Sequence, residues 1–149
     1  MLIKYFDELN PKEVYQMLKL RSEIFIVEQD CVYLDIDGKD IDAYHLLEYD
    51  EYDNIIGCLR ILSRDAIFDT VSIGRVCVKE DFRGKDIGTK MMHKAIDFID
   101  EILNEKEIKI SAQTYLVNFY KDLGFEKISD PYLEDGIKHV DMYYEKKFK

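Results

Sequence analysis

Apolar residues recur with two different spacings along this chain, and the changes between them predict both helices and strands. Spacings of three and four residues predict a helix that begins at Pro11, with Asn10 as its cap and Glu13 completing the start signal. Its inward face is predicted to carry Val14, Met17, Leu18, Arg21, Ile24 and Phe25. Arg21 interrupts this apolar face, and a buried guanidinium needs an acidic partner.

The rest of the chain continues to alternate between the two patterns. Strands are predicted at 2–6, 43–48, 55–62, 71–78, 107–112, 125–128 and 138–145, and helices at 87–103 and 115–123. Residues 29–42 contain several aspartates, one glycine and no period, so we expect a loop, ordered or mobile, that serves as a substrate flap. With 149 residues, 47% of them hydrophobic, the chain is expected to form one α/β or α+β domain over 1–149.

The charge balance limits the partners of the protein. The chain has 31 acidic and 21 basic side chains, which gives a formal net charge of −10. Nucleic acids and anionic membranes attract positive surfaces, so we expect neither as a partner. An acidic surface favours a cationic partner, such as a small amine or a basic peptide, although it also serves simply for solubility.

The cysteines and the N-terminal segment indicate a compartment. Cys31, Cys58 and Cys77 form no Cys-x-x-Cys pair, so neither a metal site nor a disulfide framework is predicted. Residues 1–20 lack the apolar run of a signal peptide, and no segment reaches the ~20 apolar residues of a membrane span. These features predict a protein of the reducing cytoplasm.

A basic, glycine-containing turn lies between the strand at 71–78 and the helix that follows it. Its sequence is Arg83-Gly84-Lys85-Asp86-Ile87-Gly88. A helix N-terminus presents unpaired N–H groups and the positive end of the helix dipole, and glycine lets the backbone approach a phosphate closely. The turn therefore suits an anion, although an ordinary strand-to-helix loop has a similar composition. It matches neither the Gly-x-Gly-x-x-Gly dinucleotide motif nor the Gly-x-x-x-x-Gly-Lys-Ser/Thr phosphate loop.

This turn resembles the Gln/Arg-x-x-Gly-x-Gly/Ala signature of the GNAT acetyltransferases, which holds the pyrophosphate of coenzyme A. Arg83 and Gly88 match the signature, whereas Asp86 stands where the family usually has glycine. A carboxylate beside a pyrophosphate is unfavourable unless it points outward. The segment Asn118-Phe119-Tyr120 with Gly124-Phe125 resembles a second signature of the same family.

Further similarities extend over nearly the whole chain and point to the ElaA-like branch of this family. They are Leu20-Arg21, Phe25-Ile26-Val27-Glu28-Gln29, Asp35-Ile36-Asp37-Gly38, Ile73-Gly74-Arg75-Val76 and Glu134-Asp135-Gly136-Ile137-Lys138-His139. The resemblance implies the GNAT fold, a mixed, mostly antiparallel central sheet flanked by helices. It also implies acetyl-CoA as cosubstrate, no metal, and transfer of an acetyl group to a primary amine of an unidentified acceptor.

The resemblance assigns residues to the cofactor and to the departing thiolate. Cofactor-binding residues are expected to be Val76, Cys77 and Val78, through backbone N–H groups, and Arg83, Gly84, Lys85, Asp86, Ile87, Gly88 and Thr89. Tyr120 is expected to donate a proton to the thiolate, with a core tyrosine as the structural alternative. Asn118 is expected to hydrogen-bond the cofactor or to cap its helix.

An attacking amine is protonated at neutral pH and must lose a proton, so the reaction needs a base. Glu28, His45 and His139 are the candidates, and for Glu28 the alternatives are a base, direct or through water, and a ligand of the substrate ammonium group. Glu28 lies between an apolar run and the loop, where the pKa of a carboxylate can rise, and imidazoles titrate in the right range. For each histidine on a strand, a structural hydrogen bond is the alternative role.

Two arginines, Arg21 and Arg75, interrupt apolar patterns and are expected to have acidic partners. Glu28, Asp37 and Asp42 are the expected partners. The resulting ion network is either purely structural, or it orients Glu28 and shapes an anionic pocket for a cationic amine.

Two other functions are compatible with the sequence. The first is a non-catalytic module or sensor that binds coenzyme A with the same fold, and the second is an unrelated α/β interaction protein whose turn binds no cofactor. The acceptor amine can belong to a small molecule or to a peptide, and the sequence is compatible with a homodimer as well as a monomer.

Overall fold

The first helix begins at the capping signal that the sequence contains. Asn10 Oδ1 accepts the N–H of Glu13 at 2.8 Å, and Glu13 Oε1 accepts the N–H of Asn10 at 3.0 Å. The computed structural model, which describes residues 1–147, places this helix, α1, at Pro11–Arg21 and continues it as a π-helical segment at Ser22–Glu28. Such wider turns occur frequently at functional sites, and this one ends at the cavity described below.

The buried side of this helix is rotated slightly from the predicted face. Met17, Leu20, Arg21 and Ile24 are buried, whereas Val14, Leu18 and Phe25 are half-buried. Glu13 is also buried, because Lys4 Nζ and Tyr49 Oη both donate to its carboxylate. The helix thus buries polar groups, and each of them has a charged or hydroxyl partner.

Eight strands and two further helices complete the fold. The strands are β1 (Leu2–Tyr5), β2 (Tyr44–Tyr49), β3 (Ile55–Leu62), β4 (Val71–Val78), β5 (Glu107–Gln113), β6 (Glu126–Lys127), β7 (Tyr132–Glu134) and β8 (Ile137–Glu145), and the helices are α2 (Ile87–Glu101) and α3 (Val117–Asp122). Short 3₁₀ turns lie at Phe6–Glu8, Asp40–Asp42, Glu80–Phe82 and Thr114–Leu116. The sequence interpretation omitted β7, which forms a hairpin with β8 through Asp135 and Gly136. Both turn residues have positive φ, 51° and 78°, as a two-residue hairpin of this kind requires.

The strands form one mixed sheet in the order β1-β2-β3-β4-β5-β8-β6, with β7 paired to β8. The pairs are antiparallel except for β4 with β5, which pair in parallel through only Val71 and Ser72 of β4. Farther along β4, the register against β3 shifts around Arg75, whose φ is 51°. This bulge bends the strand. Beyond Ser72, β4 and β5 therefore diverge and leave a gap in the sheet.

Helices cover both faces of the sheet. Leu46 and Leu47 are adjacent in β2 but belong to different apolar clusters, because neighbouring side chains of a strand point to opposite faces. Leu46 packs in the cluster that contains Met91 and Ile99 of α2, and Leu47 packs in the cluster that contains Met17 of α1. The predicted mixed, mostly antiparallel sheet flanked by helices is confirmed.

Three arginines form an ion network with three aspartates of the segment 29–42. Its members are Arg21, Arg60, Arg75, Asp35, Asp37 and Asp40. Arg21 is 1% exposed, and its Nε lies 3.0 Å from Asp35 Oδ2 while its Nη1 lies 2.7 Å from Asp40 Oδ1. These charge-assisted bonds satisfy a guanidinium that would otherwise be very unfavourable inside the protein.

The other two arginines extend the network to the sheet. Arg60 of β3 lies 2.7 Å from Asp37 Oδ2 and 3.0 Å from Asp40 Oδ1. Arg75 at the bulge of β4 lies 2.8 Å from Asp35 Oδ1, measured from its Nε. The segment 29–42 is thus attached to α1, β3 and β4 through three carboxylates, which favours the ordered over the mobile form of the expected loop.

The partners differ from those expected. Of the three carboxylates expected to pair with Arg21 and Arg75, Asp37 lies in the network, whereas Glu28 and Asp42 do not. Glu28 pairs with Arg83 instead, and Asp42 is exposed at the end of a 3₁₀ turn. The expectation that the network orients Glu28 is therefore wrong.

We expect Arg21→Met to lower the free energy of unfolding by about 3–5 kcal/mol, because it leaves buried carboxylates short of a partner. Urea unfolding at neutral pH measures this loss. Arg64→Met is the matched control, since Arg64 pairs with Glu105 at the surface with 49% of its side chain exposed, and such pairs contribute little. Equal losses for the two variants would contradict a special role of the buried network.

The network also predicts a dependence of stability on pH. Burial favours the neutral acid, but the hydrogen bonds and charge of Arg60 outweigh it and hold the pKa of Asp37 well below its usual range. A carboxyl with a depressed pKa stabilises the fold above the pKa of the unfolded chain, ~4, and loses this contribution as pH falls further. We expect the unfolding free energy to decrease below about pH 4, with a shallower slope in Asp37→Asn. Urea unfolding at pH 7, 4 and 3 tests this, and equal slopes would contradict it.

Candidate active site

A cavity of about 890 Å³ occupies the gap between β4 and β5. Its walls come from β4, the turn before α2, α3, the segment 24–39 and the β7–β8 hairpin. The cavity exists because the two strands diverge, since strands that stayed paired would fill this space with their ladder of hydrogen bonds. Polar residues from distant parts of the sequence meet in it.

The turn before α2 forms one end of the cavity. Arg83, Gly84, Asp86, Ile87, Gly88 and Thr89 line it. Asp86 is the N-cap of α2, and its side chain makes no capping hydrogen bond. The N–H groups of the first helical turn are therefore available to a ligand, and the helix dipole makes them attractive to an anion such as a phosphate.

The backbone at Asp86 has a conformation that favours glycine. Its φ of 61° and ψ of 16° lie in the left-handed region, which aspartate tolerates better than most L residues. This geometry explains why aspartate can replace the glycine of the motif. At Gly88, an added methyl group would lie 3.6 Å from the ring of Phe119, an ordinary contact that is consistent with alanine as the alternative there.

The basic side chains of this turn are less available than the sequence suggests. Arg83 donates to the two carboxylate oxygens of Glu28 at 2.9 and 3.0 Å and to the carbonyl of Val78 at 2.8 Å. Lys85 lies outside the cavity wall, with its Nζ 5.3 Å from the centre of the Phe82 ring. The positive character of this end therefore comes mainly from the backbone.

One long wall of the cavity is the free edge of β4. Val76, Cys77 and Val78 line it. Because β4 pairs with β5 only through Val71 and Ser72, the backbone groups farther along this edge face the cavity rather than a strand. Such an edge can hydrogen-bond an extended ligand in the way that a strand would.

Tyr120 of α3 lies in the cavity wall and is 7% exposed. Its ring packs edge-on against Phe119 and Phe125, at centroid distances of 5.1 and 5.9 Å. Burial raises the pKa of Tyr120 above its usual range, so the phenol keeps its proton at neutral pH. Asn118, on the same helix, is exposed and lies outside the wall, and the N-cap of α3 is Leu116, so Asn118 does not cap the helix.

His139 of β8 is the histidine that the fold brings into the cavity, where it is 8% exposed. Its Nδ1 lies 2.8 Å from the carbonyl oxygen of Ile137. Because a carbonyl oxygen only accepts, Nδ1 carries a proton, and in the neutral imidazole the lone pair is then on Nε2. Nε2 lies 3.6 Å from Glu134 Oε2, and the imidazole stacks on the ring of Tyr132.

The other two candidates for the base are placed differently. His45 has no exposed surface, lies outside the cavity wall, and has its Nε2 2.9 Å from the carbonyl oxygen of Asp40. Burial also lowers the pKa of His45. The expectation that His45 acts on a substrate is therefore wrong. Glu28 lines the cavity, but its carboxylate is held by Arg83.

The network described above meets the cavity at Arg60, Arg75 and Asp37. The guanidinium of Arg75 lies 5.4 Å from the centre of the Tyr33 ring. Arg21 lies behind them and does not line the cavity. The network thus forms a rigid wall, with its positive and negative charges balanced.

Several residues of this site were not found from the sequence. Arg60, Asp35 and Asp40 complete the network, and Glu134 with Ser111 lies near His139. The Asp-Gly hairpin signal at 135–136 was the available indication that Glu134 ends a strand beside the start of β8. The aspartates of the loop carried no periodic signal, because their positions depend on arginines that are distant in sequence.

Within residues 1–147, no group of three or more His, Cys, Asp or Glu side chains is arranged to hold a metal ion. In the same described part of the chain, no helix is both long and apolar enough to cross a membrane.

Comparison with known proteins agrees with this geometry. A family model described as an acetyltransferase (GNAT) domain matches residues 9–146. The chain belongs to the GNAT acetyltransferase family. Protein ElaA of Escherichia coli is 38% identical over 140 residues, which cover 93% of this chain and 91% of ElaA.

Solved structures show the same relationship. The crystal structure of E. coli ElaA has a TM-score of 0.89 and 36% identity, and covers 97% of each chain. An acyl-CoA N-acyltransferase from Pseudomonas aeruginosa has a TM-score of 0.88 and 33% identity, over 96% of this chain and 97% of that one. An aminoglycoside 6'-N-acetyltransferase solved with coenzyme A covers 97% of each chain at 15% identity, with a TM-score of 0.72, and shares the fold. The GNAT fold and the likeness to ElaA are thus confirmed.

Because the chain belongs to the GNAT family, the effect of Asp86 on stability and on anion binding can be tested. We expect Asp86→Gly to raise the unfolding free energy by about 0.5 kcal/mol, since relief of the left-handed backbone (~1–2 kcal/mol) is partly offset by the chain entropy of glycine (~0.5–1 kcal/mol). We also expect ADP to bind about two- to fivefold more tightly, because a negative charge leaves the helix N-terminus.

Asp86→Asn separates the two effects, because it removes the charge and keeps a side chain at the same backbone position. It should tighten ADP binding without the gain in stability. Urea unfolding and calorimetry with ADP provide the measurements, and unchanged ADP affinity in both variants would show that Asp86 points away from the anion site.

Proposed function

We propose that this protein transfers the acetyl group of acetyl-CoA to a primary amine of a small molecule or peptide. The observation that carries this proposal is that a single cavity contains the free helix N-terminus at Asp86, the unpaired edge of β4, the phenol of Tyr120 and the imidazole of His139. Transfer of an acyl group from coenzyme A to an amine uses an anion site and an extended channel for the cofactor. The reaction itself uses a proton donor and a proton acceptor.

The residues present fit coenzyme A. The first-turn N–H groups of α2 would hold the pyrophosphate, and the backbone of Val76 to Val78 would hydrogen-bond the pantetheine arm and the thioester carbonyl. When bound, acetyl-CoA supplies the acetyl group as a thioester. The β4 edge suits the amide-containing arm because it offers strand-like donors and acceptors with no competing strand beyond Ser72.

Proton transfers are assigned to His139 and Tyr120 of the cavity wall. His139 Nε2 accepts one proton from the ammonium group of the acceptor, which leaves a neutral amine with a lone pair. The amine nitrogen then bonds to the carbonyl carbon and the carbon–sulfur bond breaks. Tyr120 gives its proton to the departing sulfur, and the second proton lost by the nitrogen restores the phenol. Because burial raises the pKa of Tyr120, the phenol carries its proton at neutral pH and has one to give.

A non-catalytic module that binds coenzyme A is the second candidate. It is favoured by the carboxylate of Asp86 at the anion site and by the ion pair that occupies Arg83. Both features weaken the attraction for a pyrophosphate. Such a module would bind coenzyme A without turnover, and its properties would not depend on the hydroxyl of Tyr120.

Calorimetric titration with acetyl-CoA, with desulfo-CoA and ADP as controls, tests cofactor binding. We expect micromolar binding that depends on the pantetheine arm. No binding at millimolar concentrations would contradict both the enzyme and the module.

Tyr120→Phe then distinguishes the enzyme from the module. We expect kcat for release of coenzyme A in the presence of amines to fall about 100- to 10,000-fold while acetyl-CoA affinity is unchanged. Tyr52→Phe is the control, since Tyr52 is 76% exposed in the β2–β3 turn and lies outside the cavity. Equal rates for the wild type and Tyr120→Phe would exclude the assigned role of the phenol.

A further inference from the structure

Glu134 differs from two other carboxylates of the cavity wall. Glu28 is held by Arg83, and Asp37 is held by Arg60. In the part of the chain that the structure describes, Glu134 has no arginine or lysine within ion-pair distance. Its polar neighbours are His139 Nε2 at 3.6 Å and Ser111 Oγ at 3.4 Å, and its side chain is 54% exposed. Its negative charge therefore faces the cavity without a cation.

The hydroxyl of Ser111 does not satisfy this carboxylate. Tyr132 Oη lies 2.6 Å from Asp141 Oδ1, and because a carboxylate only accepts, Tyr132 donates its proton there. Ser111 is hydrogen-bonded to the same Tyr132 oxygen and must then be the donor of that bond. The single proton of Ser111 is thereby used, and its contact with Glu134 at 3.4 Å is secondary.

His139 also presents an acceptor atom without a hydrogen-bond donor. Its Nδ1 proton is directed to the carbonyl of Ile137, so Nε2 of the neutral ring presents a lone pair toward Glu134. Two acceptors at 3.6 Å repel each other, and either a proton on Nε2 or a ligand that brings several N–H donors relieves this repulsion. A primary ammonium group has three such donors and the opposite charge.

We propose that Glu134 and His139 Nε2 together bind the ammonium group of the acceptor. This inference rests on the proposed acetyl transfer and names its substrate class, a primary alkylamine that arrives as a cation. Glu134 attracts the protonated form, and His139 takes one of its three protons. The products of that step are a neutral amine, free to attack, and an imidazolium that pairs with Glu134.

Weakly basic amines should not depend on Glu134, because they arrive neutral. The loss of one charge-assisted bond corresponds to about a 10- to 100-fold loss of affinity for an alkylammonium ion. The same substitution should leave a neutral amine such as methoxyamine almost unaffected. A purely structural role of Glu134 would change both amines alike.

The test uses the full chain, with and without bound coenzyme A, so that no turnover occurs. n-Butylammonium chloride is titrated while the imidazole nitrogens of His139 are followed by NMR, in the wild type, Glu134→Gln and the control Glu126→Gln. Glu126 is an exposed carboxylate of β6, outside the cavity. We expect saturable shifts in the wild type and in Glu126→Gln, and at least tenfold weaker binding in Glu134→Gln.

Equal affinity in all three proteins, or equal losses for n-butylammonium and methoxyamine, would overturn the inference. Its failure is distinguishable from failure of the proposed function. If acetyl-CoA binds and turnover occurs, but Glu134→Gln binds n-butylammonium as tightly as the wild type, only the ammonium site is disproved. Absence of acetyl-CoA binding removes the proposed function, while the titration of His139 still reports on the site.

Discussion

The buried ion network is the interaction on which the shape of this site depends. Residues 29–42 have no regular structure except one 3₁₀ turn, and few of their apolar side chains are buried, so packing alone does not fix them. Asp35, Asp37 and Asp40 attach this segment to arginines of α1, β3 and β4 instead. Because one wall of the cavity is built from this segment, the network determines where that wall lies.

The network also affects the electrostatics of the site, because its own charges cancel. Three guanidinium groups balance three carboxylates, so the network contributes little net charge to the cavity. Two groups outside the network differ in character, namely the helix end at Asp86 with its unpaired N–H groups and the carboxylate of Glu134, which lie on different elements of the wall. One attracts anions and the other attracts cations, so a single cavity of a protein with a net charge of −10 offers separate places for the two kinds of charge.

The regular elements were predictable because local signals specify them. The capping residues of α1 and the apolar run of β4 set boundaries that the structure reproduces, and β4 lies at Val71–Val78 as predicted. The ion pairs were not predictable, since the sequence shows that Arg21 needs a partner but not which of many carboxylates is near it. His45 and His139 show the same limit. Both are single histidines on strands, and only the position of the gap in the sheet decides that one faces a cavity and the other a backbone carbonyl.

The ion pair between Arg83 and Glu28 has a consequence for the order of events at the site. It joins the last residue of the π-helical segment to the turn before α2, and both of its residues line the cavity. A phosphate that takes the same two N–H groups of Arg83 displaces Glu28, and because both side chains are about 40% exposed, this exchange costs only on the order of 1 kcal/mol. Occupation of these donors would therefore free the carboxylate of Glu28, so the arrival of one ligand changes the surface that the next one meets.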